Sequence, residues 1–383
     1  MMWQIIPTRR LALIGLGLGS VLAFMRIADP ARAGDVFLAS PLATDAGDKQ
    51  LINPWGISAS GTSPFWISDN GAGVATLYSV DPTTNVATKL AFPSPTGVMI
   101  PGDGSVTGQV SNGGTGFNSD RFLFVSEDGT ISGWRNALGS NAERLQLADP
   151  NNVYKGVTLD ITGGHSYLLS ANFHTGNIDV LKGEAGTPDL AGKFVDPGLP
   201  SGYAPFNISK LGNTIYVTYA VQNGKDDLPG PGHGIVTAFD ENGNLLGRIG
   251  TMGTLNSPWG LAIAPGGFGS LSGDLLVGNF GDGRLNVFSA DPNLPGFLGQ
   301  LTDATTGNPL SIDGLWGLIP GNGTGAGSMN DIYFTAGPNG ESGGVLGVLQ
   351  SVPEPSSAVL ALISIAAMSA GLAWKKRGRK ATT

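Results

Sequence analysis

Three short stretches of this chain repeat one another: "NPWGISAS" from Asn53, "SPWGLAIAP" from Ser257 and "GLWGLIP" from Gly314. Each sets Trp-Gly before an apolar run, and recurrence of this kind marks a repeat architecture. Aligning the chain on glycine followed by an apolar residue extends the pattern to six units. They start near Trp55-Gly56-Ile57, Thr96-Gly97-Val98, Lys155-Gly156-Val157, Phe206-Asn207-Ile208, Trp259-Gly260-Leu261 and Trp316-Gly317-Leu318. A β-rich run follows in every unit, as in "FWISDNGAG", "FLFVSEDGT" and "LLVGNFGDG". A glycine-bearing turn then leads to an alternating stretch such as "TLYSV", "NIDVL" or "GIVTAF". Period-two alternation bounded by Asn-Gly and Asp-Gly turns is the pattern of β-hairpins.

Five units continue into a fourth strand: "ATKLAF", "RLQLAD", "GKFVD", "LLGRIG" and "FLGQL". The sixth has none, while "DVFLAS" at residues 35–40 belongs to no unit. Pairing that stretch with residues 345–349 closes a ring and removes an open sheet edge. Units of about 50 residues fall in the propeller range, so the expected fold is all-β, a six-bladed propeller closed by an N-terminal strand. A β-helix is the alternative, but its rungs are shorter and need no closure. In the propeller, Pro-Trp-Gly leads into the innermost strand. Proline fixes the approach, glycine lets inner backbones crowd the channel, and tryptophan is expected to wedge between blades.

Composition agrees. Glycine makes up 61 of 383 residues, about twice the usual ~7%, which suits tight turns. There are no cysteines, so an exported form must rely on its core and thiol chemistry is excluded.

The two ends read as processing signals. Arg9 and Arg10 precede an apolar run at residues 11–25, and Ala31-Arg32-Ala33 offers a cleavage site before Gly34. Residues 1–33 are thus expected to be a signal peptide, with Thr8-Arg9-Arg10-Leu11 resembling a twin-arginine export signal. The expected propeller occupies residues 34–350. Residues 351–383 hold Pro353-Glu354-Pro355, a nearly uncharged run expected to form one hydrophobic helix, and a basic tip of Lys375, Lys376, Arg377, Arg379 and Lys380. About 18 apolar residues just reach across a bilayer, with the basic tip left cytoplasmic. Setting both ends aside leaves 12 basic residues facing 27 acidic ones, about −15 in all. Such a surface repels phosphate backbones, so nucleic acid is not an expected partner.

The order Pro-Glu-Pro, apolar helix, basic tip closely resembles the PEP-CTERM sorting signal of Gram-negative bacteria. That resemblance implies an exosortase-type partner that cuts near the motif, brief anchoring in the inner membrane, and release to the cell surface or extracellular matrix. The rest of the chain resembles a family of exported propellers that often carry this signal. The matching stretches include "NPWGIS", "FWISDNG", "EDGTISGW", "YKGVTL", "YVTYA", "SPWGLAIAP" and "YFTAG". This resemblance implies fold and location and brings no catalytic residues. More distantly the units resemble NHL-type blades, which serve in binding proteins, lyases and lactonases.

In a propeller, the lead-in to the inner strand and the turn between second and third strands share the face around the channel mouth. This places Trp55, Asp69, Asn70, Glu127, Asn172, Asn279, Asp282, Trp259 and Trp316 there as candidate ligand-binding residues, by position alone. Stacking and amide hydrogen bonds suit sugars, and oxygen ligands suit Ca²⁺. His174 and His233, in equivalent loops of adjacent units, are candidate ligands for Zn²⁺ or Cu²⁺ with Asp69 or Glu127. His165 should face the opposite side. No nucleophile elbow, zincin helix, P-loop or dinucleotide fingerprint occurs. Two functions follow: a binding or structural propeller of the exopolysaccharide matrix, or a metal-dependent lactonase or lyase working at the mouth.

Overall fold

A computed structural model describes residues 35–352 apart from position 295. The signal peptide, the C-terminal helix and the basic tip lie outside the described residues.

Six sheets form, five of them antiparallel and built inside to outside in chain order, while the sixth also takes in the N-terminal strand, which pairs in parallel with Thr302–Asp303. The inner strands are Pro54–Ser58, Val106–Ser111, Tyr154–Thr162, Tyr203–Leu211, Pro258–Ile263 and Leu315–Pro320, for blades one to six. The second strands are Phe65–Asp69, Phe122–Ser126, His165–Asn172, Thr214–Asn223, Leu275–Asn279 and Ile332–Ala336. The third are Val74–Val80, Ile131–Trp134, Asn177–Lys182, Gly234–Phe239, Leu285–Phe288 and Val345–Val352. The ring closes as expected: Val36–Thr44 pairs antiparallel with Val345–Val352, with Leu38 opposite Gln350 and Ala39 opposite Leu349. Phe37 of that strand is fully buried.

The second strand of each blade is buried on both faces because each blade is covered by two neighbours. Phe65 and Ile67 of blade one pack with Tyr333 and Val348 of blade six, while Trp66 and Leu77 pack with Phe122 and Phe124 of blade two. The core is therefore a series of inter-blade layers, with the same alternation at every junction.

The inner strands approach one another closely enough to require glycine. A Cβ on Gly56 would stand 2.7 Å from the Thr107 carbonyl oxygen, one on Gly108 2.8 Å from the Val157 nitrogen, one on Gly260 2.7 Å from the Trp316 carbonyl oxygen, and one on Gly317 2.9 Å from the Trp55 carbonyl oxygen. Every one of these contacts is to the next blade. In blade four Asn207 takes the glycine's place and donates to the Trp259 carbonyl at 2.7 Å.

Two expectations are corrected. The stretch at Gly97 is not the inner strand of blade two: Val98–Met99 pairs with Val74 and Ala75 of blade one. Gly97 sits against the Ala75 carbonyl at φ 83°, where a side chain would collide. The inner strand comes ten residues later, and Gly108 fills the expected role. Likewise "GKFVD" forms no fourth strand on blade three. Its Gly192 and Phe194 amides donate to the carbonyls of Asn242 and Gly243, and Asp196 binds Arg248 Nη2 at 3.0 Å. The segment docks on blade four, leaving blade three with three strands.

Candidate functional site at the channel mouth

The repeated motif turns out to build a plug. Ahead of each Trp-bearing strand one residue adopts a left-handed conformation: Asn53 at φ 46°, Ser257 at φ 46° and Gly314 at φ 65°. The three tryptophans do not wedge between blades as expected. They meet one another over the channel. Trp55 stacks on Trp316 with centroids 3.7 Å apart, Phe280 stacks on Trp316 at 4.0 Å, and Trp259 meets Trp55 and Trp316 edge-on at 6.4 and 5.7 Å. Phe173 and Phe206 complete the cluster, and the tryptophans are 1–5% exposed. The inner strands of all six blades enclose only about 70 Å³ of channel space, lined by Gly56, Gln109, Val157, Asn207, Trp259 and Gly317 among others.

Set into this plug is a residue the sequence reading passed over. Lys155 is 1% exposed, with Nζ 5.2 Å from the Trp55 ring centroid and 5.9 Å from that of Phe173. It pairs with Glu127, and with Asp226 at 3.2 Å. Lys155 precedes its glycine exactly where Trp55, Trp259 and Trp316 precede theirs, and Phe206 precedes Asn207 in the same place. The signal was thus present in the repeat alignment, as the one charged residue in a column that otherwise holds four aromatic residues and Thr107.

Indole N–H groups tie the plug to its surroundings. Trp259 donates to the Lys155 carbonyl at 3.1 Å and Trp316 to Asn53 Oδ1 at 3.0 Å. Asn53 in turn donates to Glu341 Oε2 at 2.7 Å and Asn70 Oδ1 at 3.4 Å. The Trp55 Nε1 is buried without a hydrogen-bond partner. Partial burial raises the Glu341 carboxyl above its ordinary value, and the charges of Glu127 and Asp227 push it the same way, against Asn53 and Lys155. Burial also raises Asp227.

The other candidates divide by role. Asp69 is fully buried, and burial pushes its pKa well above the ordinary carboxylate value. Thr76 donates to its Oδ2 at 2.6 Å, and Oδ1 has no partner. Asn172 locks its own turn, accepting from the Val153 amide at 3.2 Å and donating to Asp179 at 2.8 Å. Asn279 does the same, donating to the Thr254 carbonyl at 2.8 Å and to Asp282 at 2.9 Å. Asp282 is exposed and Asn70 half-buried. His174 is exposed, and His233 Nδ1 donates to the Leu228 carbonyl at 2.8 Å. Among the described residues, no three His, Asp or Glu side chains gather as a cation site requires.

Two uncharacterised proteins of Acanthamoeba polyphaga mimivirus are 31% and 30% identical to this chain, over 319 and 322 residues. The alignments cover 78% and 79% of this chain and 75% and 81% of the relatives. The chain belongs to their family. This member also matches the PEP-CTERM protein-sorting motif at residues 351–378. The motif implies export toward the surface of a Gram-negative cell and recognition by exosortase-type sorting machinery. Solved structures similar to this family member include an auxiliary nutrient binding protein from Bacteroides ovatus, with 12% identity, TM-score 0.49, and coverage of 84% of this chain and 78% of that one. Another is the periplasmic gluconolactonase of Pseudomonas aeruginosa, with 16% identity, TM-score 0.41, and coverage of 79% and 89%.

Proposed function

We propose that this exported propeller works by binding, presenting the rim of its plugged mouth to hydroxyl-rich glycans of the extracellular matrix. The observation that carries the reading is the plug itself. About 70 Å³ of channel space is far below the roughly 300 Å³ at which small-molecule pockets begin, so a ligand meets the rim and not the channel. That rim offers exposed Asp226, Asp282, Asn339 and Glu341 beside half-buried Asn70 and Glu127. Carboxylates and amides arranged in this way accept from and donate to sugar hydroxyls. In this reading the leader at residues 1–33 and the tail at residues 351–383 are removed, with brief membrane anchoring through the tail, and residues 34–350 are displayed.

A lactonase or lyase of the metal-dependent kind would need gathered ligands and a free acid or base. Glu127 is instead committed to Lys155.

The test is a glycan array probed with the purified protein, repeated with Asp226→Asn and Glu341→Gln. Saturable binding to one glycan class, weakened by both rim variants, is expected. A blank array, together with tightly held stoichiometric metal and turnover of a lactone, would overturn the reading in favour of an enzyme.

A further inference from the structure

Blade three lacks the fourth strand that its sequence offered, because residues 192–196 dock on blade four. Its sheet ends at Asn177–Lys182, and among the described residues no further strand pairs with the outer side of that strand. Natural proteins usually blunt such an edge with charge, proline or a bulge. The outer strands of blades one, two and four carry Lys89, Arg144 and Arg248. On the outer strand of blade three, Asn177–Lys182, the only cation is Lys182 at its end, where Asp189 holds it at 2.6 Å. Val180, at the strand's centre, is 40% exposed.

A groove of about 690 Å³ runs beside this edge, between blades two and three. Its apolar walls come from Leu147, Val180 and Leu181, and Leu147 is 71% exposed. Two carboxylates, Asp149 and Asp179, line the groove, and no lysine or arginine does. Asp179 is held in place by the Tyr154 hydroxyl at 3.0 Å and Asn172 at 2.8 Å, so its charge has a fixed position.

We propose that this edge and groove form a docking site for an extended peptide of a partner protein, which adds as the fourth strand of blade three and alternates apolar with basic residues. Backbone pairing on an open edge supplies affinity, and pockets for alternate side chains supply selectivity. Charge complementarity selects the basic partner. A second copy of this strongly acidic domain would bring carboxylates against carboxylates. The site is separate from the mouth and does not depend on the glycan reading.

The probe is a capped hexapeptide alternating valine and lysine, titrated against the intact chain by fluorescence anisotropy. Two controls accompany it, one with glutamate replacing lysine and one N-methylated on alternate amides. The lysine peptide should bind saturably and about tenfold or more tightly than either control. Val180→Lys should abolish the binding while leaving the melting temperature unchanged. The proposal is overturned by an absence of saturable binding, by equal affinity of the N-methylated peptide, or by indifference to Val180→Lys. A concentration-dependent dimer that Val180→Lys dissolves would overturn it in favour of self-pairing.

Discussion

The Lys155 ammonium lies 5.2 Å from the ring centroid of Trp55, sealed from water inside an aromatic plug and paired with Glu127. One buried cation thus joins blade one's tryptophan to carboxylates of blades two and four. Cation–π contact contributes about 2 kcal/mol in a desolvated site, but the carboxylates around it set the larger cost of losing the charge.

Lys155→Met should therefore destabilise the propeller by about 3–5 kcal/mol, the usual cost of stripping one partner from a buried pair. Glu127→Gln should also destabilise, by less, because Asp226 remains at 3.2 Å. Denaturant unfolding of both variants and the double variant measures the coupling. Strictly additive losses would mean that the two residues act independently.

Asp69 should behave in the opposite way. Burial raises its pKa in the folded state above the ordinary 3.8. Below that value both folded and unfolded chains are protonated and nothing is lost. As pH rises through it, the unfolded chain ionises while the folded one resists, so stability falls until the folded pKa is passed. Asp69→Asn removes this penalty and keeps an acceptor for Thr76, as Asn172 and Asn279 stand at the equivalent strand ends of blades three and five. The variant should gain about 1–3 kcal/mol at neutral pH, and the gain should vanish near pH 3.8. Melting curves of both proteins across this range decide it, and a gain independent of pH would sink the argument.

What the sequence disclosed follows from how local each signal is. Blades are visible because Asn-Gly and Asp-Gly turns and period-two alternation are properties of a few neighbouring residues. The closing strand is visible because a ring with one unit short needs a donor. The inner strand of blade two was hidden, since Thr107-Gly108 carries no aromatic residue to mark it and Gly97 offers a false match. The displacement of residues 192–196 depends on Asp196 meeting Arg248 52 positions away, which no local pattern encodes. At the mouth, the positions of the tryptophans were legible but their mutual burial was not. Burial depends on the ring's diameter, which the inner glycines set together.

Those glycines make a direct test of the ring's tightness. Gly56→Ala would bring a Cβ to 2.7 Å from the Thr107 carbonyl and 3.0 Å from the Gln109 amide nitrogen, both backbone atoms that cannot swing aside. Overpacking of this kind costs about 1–3 kcal/mol. Gly61→Ala, in a loop with nothing within 4 Å, is the control and should be nearly neutral. Equal melting temperatures for the two variants would show that the inner strands have slack.

Closure of the ring makes the last prediction. Val36–Thr44 is the only strand of blade six drawn from the other end of the described chain, and it bridges Val345–Val352 of blade six and Thr302–Asp303, which follows the last strand of blade five. Phe37 anchors it, fully buried in the layer between those blades and 5.0 Å from the Phe268 ring. Phe37→Ala leaves the backbone pairing intact and removes only the anchor, which should cost about 3–5 kcal/mol. Deleting residues 36–44 removes the strand's pairing as well and exposes a blade edge, so the loss should exceed that of Phe37→Ala. Hydrogen exchange locates the damage. Faster exchange in Ile332–Ala336 and Val345–Val352, with blades two and three still protected, is the expected pattern. A deletion variant that melts like the parent would show that the other blade contacts hold the ring unaided.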